Sequence, residues 1–215
     1  DHLLAKYLET KKGMKIKTSS NEELRKEAKS ALQNNIKLMG KHNLTNATVA
    51  LLAIQKMGRQ PYAKELSSFQ PLPYRCQLVE TRSGRLVIND SKSTNMESTL
   101  AAIQAVNQSK QPIILIMGGD DKGLHIDDAI SEIDKSVRHI IVYGSIKERF
   151  VATFNEHPRK SDCQAVDTVN KAIETAYKEA KDSIVLFSPG CSSFDQFRDF
   201  EQRGDIFDQQ INTGT

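Results

Sequence analysis

No stretch of the 215-residue chain approaches the roughly 20 consecutive apolar residues that a bilayer-spanning helix needs, so no insertion into a membrane is expected. Cysteine is scarce: Cys76, Cys163 and Cys191 lie far apart and form no C-x-x-C pair, which argues against a zinc site or a disulfide framework and points to a reducing cytoplasm. A long basic block is missing too. The net charge of +3 is spread over mixed lysines and glutamates, so nucleic acid is not expected as a partner, whereas an anionic small molecule fits. The chain opens on Asp1, with neither an initiator methionine nor the basic, apolar and small-residue pattern of a signal peptide, and is expected to begin inside a longer protein. What remains, 38% hydrophobic and 27% charged residues, describes a globular protein long enough for one large domain or for a domain with part of another.

The most informative stretch is Val87 to Asn95, V-I-N-D-S-K-S-T-N. Leu86, Val87 and Ile88 suit a sheet, while Asp90, Ser91, Ser93 and Asn95 are turn and N-cap formers, with a helix expected from about Met96. A lysine between a strand end and a helix N-terminus meets backbone donors and the positive end of the helix dipole, a setting that favours a phosphate or carboxylate. A second reading stays open at this point: Asp90 closing a β-turn, Asn95 capping the helix and Lys92 simply solvated.

Along the chain, Ser19 to Asn34 reads as a short exposed helix, Asn43 to Met57 as a helix that is mostly core, and Pro61 to Leu66 as another short helix. The two prolines in Ser67 to Pro73 break the periodicity, and a domain boundary is expected there. Cys76 to Thr81 and Arg85 to Ile88 look like two strands of a hairpin joined at Ser83-Gly84. Apolar runs at Ile113 to Met117, His139 to Tyr143 and Ser183 to Phe187 then alternate with helical patterns at Met96 to Val106, Asp127 to Lys135, Ile146 to Phe154 and Val166 to Ala180. This alternation predicts an α/β fold, a Rossmann-like and mainly parallel sheet with ligands bound beyond the carboxyl ends of its strands.

The segments in that position are Asn89 to Asn95, Gly118 to Gly123, Gly144-Ser145 and Ser188 to Ser193. They offer small hydroxyl residues or a lysine, which would set Lys92 and Lys122 at one rim as point charges for phosphate or carboxylate. Gly118-Gly119 read singly is a tight turn.

G-K-H-N-L-T-N-A at Gly40 to Ala47, L-P-Y-R at Leu72 to Arg75, N-D-S-K-S-T-N at Asn89 to Asn95, G-G-D-D-K-G at Gly118 to Gly123 and S-P-G-C-S-S-F-D-Q-F-R-D-F-E-Q-R-G-D-x-F at Ser188 to Phe207 resemble the Mur ligase family in order and spacing. The last motif, rich in phenylalanine, is similar to the member that adds D-glutamate. The resemblance covers the chain from about Met39 onward and implies three domains: one for a UDP-sugar, a central ATPase with a P-loop, and a Rossmann-like third domain for the incoming amino acid. No G-x-x-x-x-G-K-[ST] occurs in this chain, so the resemblance implies a C-terminal fragment, with residues 1–70 the remnant of the central ATP-binding domain and 71–215 the third domain. Asp1-His2-Leu3 echoes a magnesium motif of the family but lies too close to His42-Asn43 to serve as one, so ligands for Mg2+ are expected upstream.

The activity the resemblance implies is ATP-dependent ligation of D-glutamate to UDP-N-acetylmuramoyl-L-alanine through an acyl phosphate, by a cytoplasmic monomer of peptidoglycan synthesis. Carried over by position, Asn43 and Asn46 would bind the adenine of ATP, Arg75 its phosphate or ribose oxygens, Asp90 the ribose side, and Lys92 the γ-phosphate and the developing acyl phosphate. Thr94, Lys122, Ser193 and the backbone near Phe194 and Phe200 would hold the D-glutamate carboxylates. Tyr74 and Gln77 stand where the family usually has His and Glu, leaving open what orients Arg75, and Ser93 and Gly190 replace commoner alanines. Phe194, Phe197 and Phe200 fall at i, i+3 and i+6, with Phe197 expected in the core and Arg198 and Arg203 decorating a helix surface. Cys191 has no histidine placed to activate it as a nucleophile. Two other readings are a sibling Mur or folylpolyglutamate ligase and a module that only binds a nucleotide or a partner.

Overall fold

The computed structural model describes residues 22–33, 41–69, 72–79, 81, 84–123, 125–158 and 161–213. Asp1-His2-Leu3, Gly40, Ser83 and the expected start of the first helix lie outside them. The chain divides into two compact units, Asp1–Pro71 and Leu72–Thr215.

In the first unit, helices α1 (Glu22–Gln33) and α2 (Lys41–Lys56) and a 3-10 turn (Ala63–Ser68) close around Leu24, Ala28, Ala47, Leu51, Leu52 and Ala63. Pro61, read from the sequence as the start of a helix, instead precedes it by two residues, and the segment winds as 3-10. Helix α1 is polar on all but one stripe, in which Leu24, Ala28 and Ala31 recur at helical spacing and are buried.

The second unit is a six-stranded sheet of order β1-β2-β6-β3-β4-β5, formed by β1 (Gln77–Val79), β2 (Val87–Asn89), β3 (Ile113–Gly118), β4 (His139–Tyr143), β5 (Asp162–Ala165) and β6 (Ile184–Gly190). Strand β1 runs antiparallel to β2 with Leu78 opposite Ile88, and every other neighbouring pair is parallel. Helices α3 (Met96–Val106), α4 (Asp127–Ser136), α5 (Lys147–Glu156), α6 (Val169–Glu179) and α7 (Phe200–Thr213) connect or follow the strands. The central strands are buried throughout, as expected for parallel strands covered on both faces. On one face Val87, Ile114, Ile116, Ile141, Tyr143, Val185 and Phe187 meet Val169, Ala172, Ile173 and Ala176 of α6 and Phe207 and Ile211 of α7. The chain passes from β2 to β3 over the place that β6 later fills, so the strand order reverses at β6, the position where α/β sheets open a crevice.

Two elements escaped the apolar pattern. Strand β5 reads D-C-Q-A and is mostly exposed, because an edge strand with one neighbour needs no apolar run. Helix α7 was masked by its phenylalanines. Phe194 and Phe197 precede it and only Phe200 opens it, so their spacing of three marks no helix. The stripe that faces the sheet is instead Arg203, Gly204, Phe207 and Ile211, all buried, while Phe197 is partly buried against the same core.

Helix α3 is capped as the sequence suggests, the Asn95 side chain accepting from Ser98 N at 2.8 Å, and Thr168 caps α6 in the same way. Phe207 stacks on Phe187 at 4.4 Å between ring centroids and joins α7 to the middle of the sheet. Phe207→Ala is expected to destabilise the protein by about 3–5 kcal/mol, measured as a lower denaturant midpoint. A loss below about 1 kcal/mol would mean that α7 is not anchored there.

Candidate functional site

From Asn89 to Asn95 the polar side chains divide by burial. Asn89, Asp90, Ser91 and Ser93 are buried, whereas Lys92 is half-buried and Thr94 exposed. Each buried group has an internal task. Asn89 donates to Gly204 O at 3.1 Å and to Asp208 Oδ1 at 2.8 Å, and its own Oδ1 accepts from Ser91 N. Ser91 Oγ donates to Phe200 O at 2.8 Å. Ser93 Oγ and Thr99 Oγ1 share a hydrogen bond, and Gly190 N donates to Ser93 O at 3.0 Å. Lys92 lays its ammonium over the Phe200 ring, 3.6 Å from the centroid, and its backbone N donates to Tyr74 O.

Asp90 is 7% exposed, and its two oxygens accept from Cys76 N at 3.0 Å and from Ser188 Oγ at 2.7 Å. It therefore ties the segment before β1 to the end of β6. Burial pushes its carboxyl up to about 6, against hydrogen bonds from Ser188 and Cys76 and the charge of Arg75, which act the other way.

The second group of loops meets beside it. Gly119 has φ +139, and a Cβ there would strike Ser192 O, so the two loop backbones can approach only because residue 119 is glycine. Asp120 N then donates to Ser192 O at 2.9 Å. Lys122 follows, paired with Asp120 at 3.6 Å and lying 4.9 Å over the ring of Phe194, itself 65% exposed. Arg149 of α5 clamps Asp121 with two hydrogen bonds of 2.7 and 2.5 Å, and Ser145 Oγ accepts from Asp121 N. Ser193 is buried, and its carbonyl accepts from Gln196 N and Phe197 N. Asp195 Oδ2 accepts from Ser145 N.

Arg203, read from the sequence as surface decoration, is fully buried. Its guanidinium donates to Ser91 Oγ at 3.1 Å, Ser91 O at 2.7 Å and Cys191 O at 3.0 Å, and among the described residues no carboxylate pairs with it. One side chain thus joins α7 to the loops after β2 and β6. Cys191 is fully buried, and burial pushes its thiol up to about 12, so no thiolate is available for attack at neutral pH.

Arg75 is exposed, in a turn whose neighbours Tyr74 and Cys76 both have positive φ, +60 and +46. Asn43, half-buried, and Asn46, exposed, stand one turn apart on α2 of the first unit. Within the second unit the structure therefore brings together Arg75, Asp90, Lys92, Thr94 and Phe200 on one group of loops and Lys122, Ser193 and Phe194 on the next. Arg203, Asp121 and Arg149 were missed. A helical count forward from Phe200, rather than across the three phenylalanines, places Arg203 on the buried stripe; no comparable signal marks Asp121 and Arg149, which are 28 residues apart in sequence. Among the described residues no group of three His, Cys, Asp or Glu side chains could hold a metal ion.

These loops define an α/β domain of the class that binds ligands at the carboxyl edge of a doubly covered sheet. A family model described as Mur ligase, glutamate ligase domain, matches residues 74–191. The chain is 41% identical over 175 residues to UDP-N-acetylmuramoylalanine-D-glutamate ligase of Lactobacillus acidophilus, covering 80% of this chain and 37% of that protein. It is 36% identical over 179 residues to the enzyme of the same name from Francisella tularensis, covering 81% and 42%. The chain belongs to the Mur ligase family, and spans about two fifths of the length of these relatives. Solved structures carry the same fold: UDP-N-acetylmuramate-alanine ligase MurC of Thermotoga maritima has a TM-score of 0.62 at 13% identity, covering 82% of this chain and 39% of that one. MurF ligase of the same organism, in complex with ADP, has a TM-score of 0.60 at 16% identity, covering 80% and 39%.

Two measurements test the geometry. Arg203→Lys cannot reproduce a fork that reaches two carbonyls and a hydroxyl, and is expected to cost about 2–4 kcal/mol in urea unfolding; a neutral result would reduce the buried fork to packing. Asp90 binds its proton more tightly in the folded protein, at about 6, than at its ordinary value of 3.8. Stability should accordingly fall by about 2–3 kcal/mol as pH rises from about 4 to about 6, and level off above that. Asp90→Asn keeps an acceptor for Cys76 N and gains a donor for Ser188 Oγ, so unfolding curves across this range should lose that slope. An unchanged slope would assign it to another group.

Proposed function

We propose that this chain is the part of an ATP-dependent amide-forming ligase that receives D-glutamate and faces the γ-phosphate of ATP, in an enzyme that extends UDP-N-acetylmuramoyl-L-alanine through an acyl phosphate during peptidoglycan synthesis. The reading rests on one observation above all: two lysines, Lys92 after β2 and Lys122 after β3, stand on either side of β6 at the carboxyl edge of the sheet, each lying over a phenylalanine ring, on a chain 41% identical to a D-glutamate ligase. The fold it shares with MurC and MurF does not choose among amino acids; the sequence relatives favour D-glutamate.

The reaction moves the γ-phosphoryl group of ATP to the carboxylate of the muramoyl-L-alanine, and the amine of D-glutamate then displaces phosphate. Both steps gather negative charge, and both need aligned reactants. Lys92, half-buried and steered by Phe200, supplies a positive charge to the γ-phosphate and the acyl phosphate forming from it. Arg75 serves phosphate or ribose oxygens, and Asp90, on the ribose side, holds the turn that carries Arg75 against β6. Lys122, Thr94, Ser193 and the backbone at Phe194 and Phe200 receive the two carboxylates of D-glutamate. Asn43 and Asn46, one turn apart on α2, pair with the adenine edge. Residues 1–70 then belong to the central ATP-binding domain and 71–215 to the amino-acid domain, with the ligands of Mg2+ upstream. The whole enzyme acts as a cytoplasmic monomer.

In the full-length enzyme carrying this sequence, Lys122→Ala should raise KM for D-glutamate at least about tenfold, the equivalent of about 1.4 kcal/mol, and leave KM for ATP within about twofold. The reverse pattern would assign Lys122 to the nucleotide and sink this placement of the amino acid.

A further inference from the structure

Arg75 is held by an arrangement that the ligand assignments leave unexplained. Tyr74 and Cys76 each carry a Cβ, which makes φ values of +60 and +46 unfavourable, so a turn with Arg75 between two such residues persists only where its surroundings over-determine it. Those surroundings can be named. Tyr74 Oη donates to Asp205 Oδ1 of α7 at 2.6 Å. The Tyr74 ring lies so close to Gly204 that any Cβ there would overlap it, and it meets Phe200 edge to face at 6.4 Å. Tyr74 N donates to Gln77 Oε1 at 3.0 Å, Tyr74 O accepts from Lys92 N, and Cys76 N donates to Asp90. Arg75, between these anchors, makes no ion pair among the described residues and presents its guanidinium to solvent.

We infer that Tyr74, fastened to Asp205 and seated on Gly204, is a positioning residue that fixes the direction of Arg75 toward the nucleotide, with Gln77 capping the same turn. This rests on the reading of Arg75 as a nucleotide contact. It also answers what Tyr74 and Gln77 do at this place in the chain: one reaches outward to α7, the other closes the turn on itself. The hydrogen bond to Asp205 pushes the Tyr74 phenol up to about 12, so it stays a donor throughout the neutral range. Because Asp205 and Gly204 follow directly on Arg203, the nucleotide-side turn takes its bearing from the same two turns of helix that hold the loops after β2 and β6.

The test uses the full-length enzyme, with KM for ATP and for D-glutamate, calorimetric Kd for ADP with magnesium, and thermal midpoint measured for each variant. Tyr74→Phe keeps the ring on Gly204 and Phe200 but loses the bond to Asp205; Asp205→Ala removes the acceptor; Asp205→Asn retains one. Tyr74→Phe and Asp205→Ala should each raise KM for ATP and Kd for ADP roughly three- to tenfold, the range of one net hydrogen bond, with KM for D-glutamate within twofold. Their combination should be no worse than either alone, and Asp205→Asn should stay near the parent. Arg75→Ala, run in parallel, separates the two ideas. If it weakens ADP binding while Tyr74→Phe does not, the positioning role is overturned and the reading of Arg75 stands. If Arg75→Ala leaves ADP binding unchanged, that reading fails and the inference falls with it. Equal weakening toward ATP and D-glutamate, with a lowered thermal midpoint, would reduce Tyr74 to a structural residue.

Discussion

The buried guanidinium of Arg203 is the interaction on which the rest of this domain turns. A charge in a fully buried position, unpaired with any carboxylate among the described residues, persists only if its donors are occupied, and here two backbone carbonyls and a hydroxyl occupy them. Those acceptors belong to Ser91 and Cys191, residues of two different loops at the carboxyl edge of the sheet. The same helix carries Phe207 into the core and Asp205 and Gly204 to the turn at Tyr74. A single helix, docked by one aromatic stack and one buried cation, therefore sets the relative position of three loops that lie far apart in sequence.

The loop after β2 shows how a short segment divides its polar side chains between the fold and the surface. Residues 89, 90, 91 and 93 spend their polarity on the fold, and Lys92 and Thr94 are left to the surface. Asn95 is a helix cap and Asp90 an internal tie, while Lys92 stands over Phe200, half exposed. Both lysines of the site rest on aromatic faces. Such a face limits where a long flexible side chain can place its charge without neutralising it.

Much of this was readable from the chain alone. The apolar runs at 113–117, 139–143 and 183–187 are strands because buried parallel strands need apolar residues on both faces, and the loop after the first of them holds Lys122. Strand β5 was not readable, since its residues answer to only one neighbour. A helical count from Phe200 marks the stripe on which Arg203 lies, but an arginine in an amphipathic helix is nearly always at the surface, and only the finished fold supplies the acceptors that let this one be buried. The pairing of Asp121 with Arg149, and of Tyr74 with Asp205, depends on strand order, which periodicity does not encode.

Among the described residues the sheet ends on both sides in short strands, and one of them, β5, is polar and mostly exposed. Strand β1 has three residues and β5 four, and three of those in β5 are exposed, Asp162 and Gln164 among them. A growing sheet needs a long, flat, apolar margin to template the next strand, and neither side offers one. With an interior this rich in isoleucine and valine, short margins are the physical means by which the core's β-propensity stays inside one molecule.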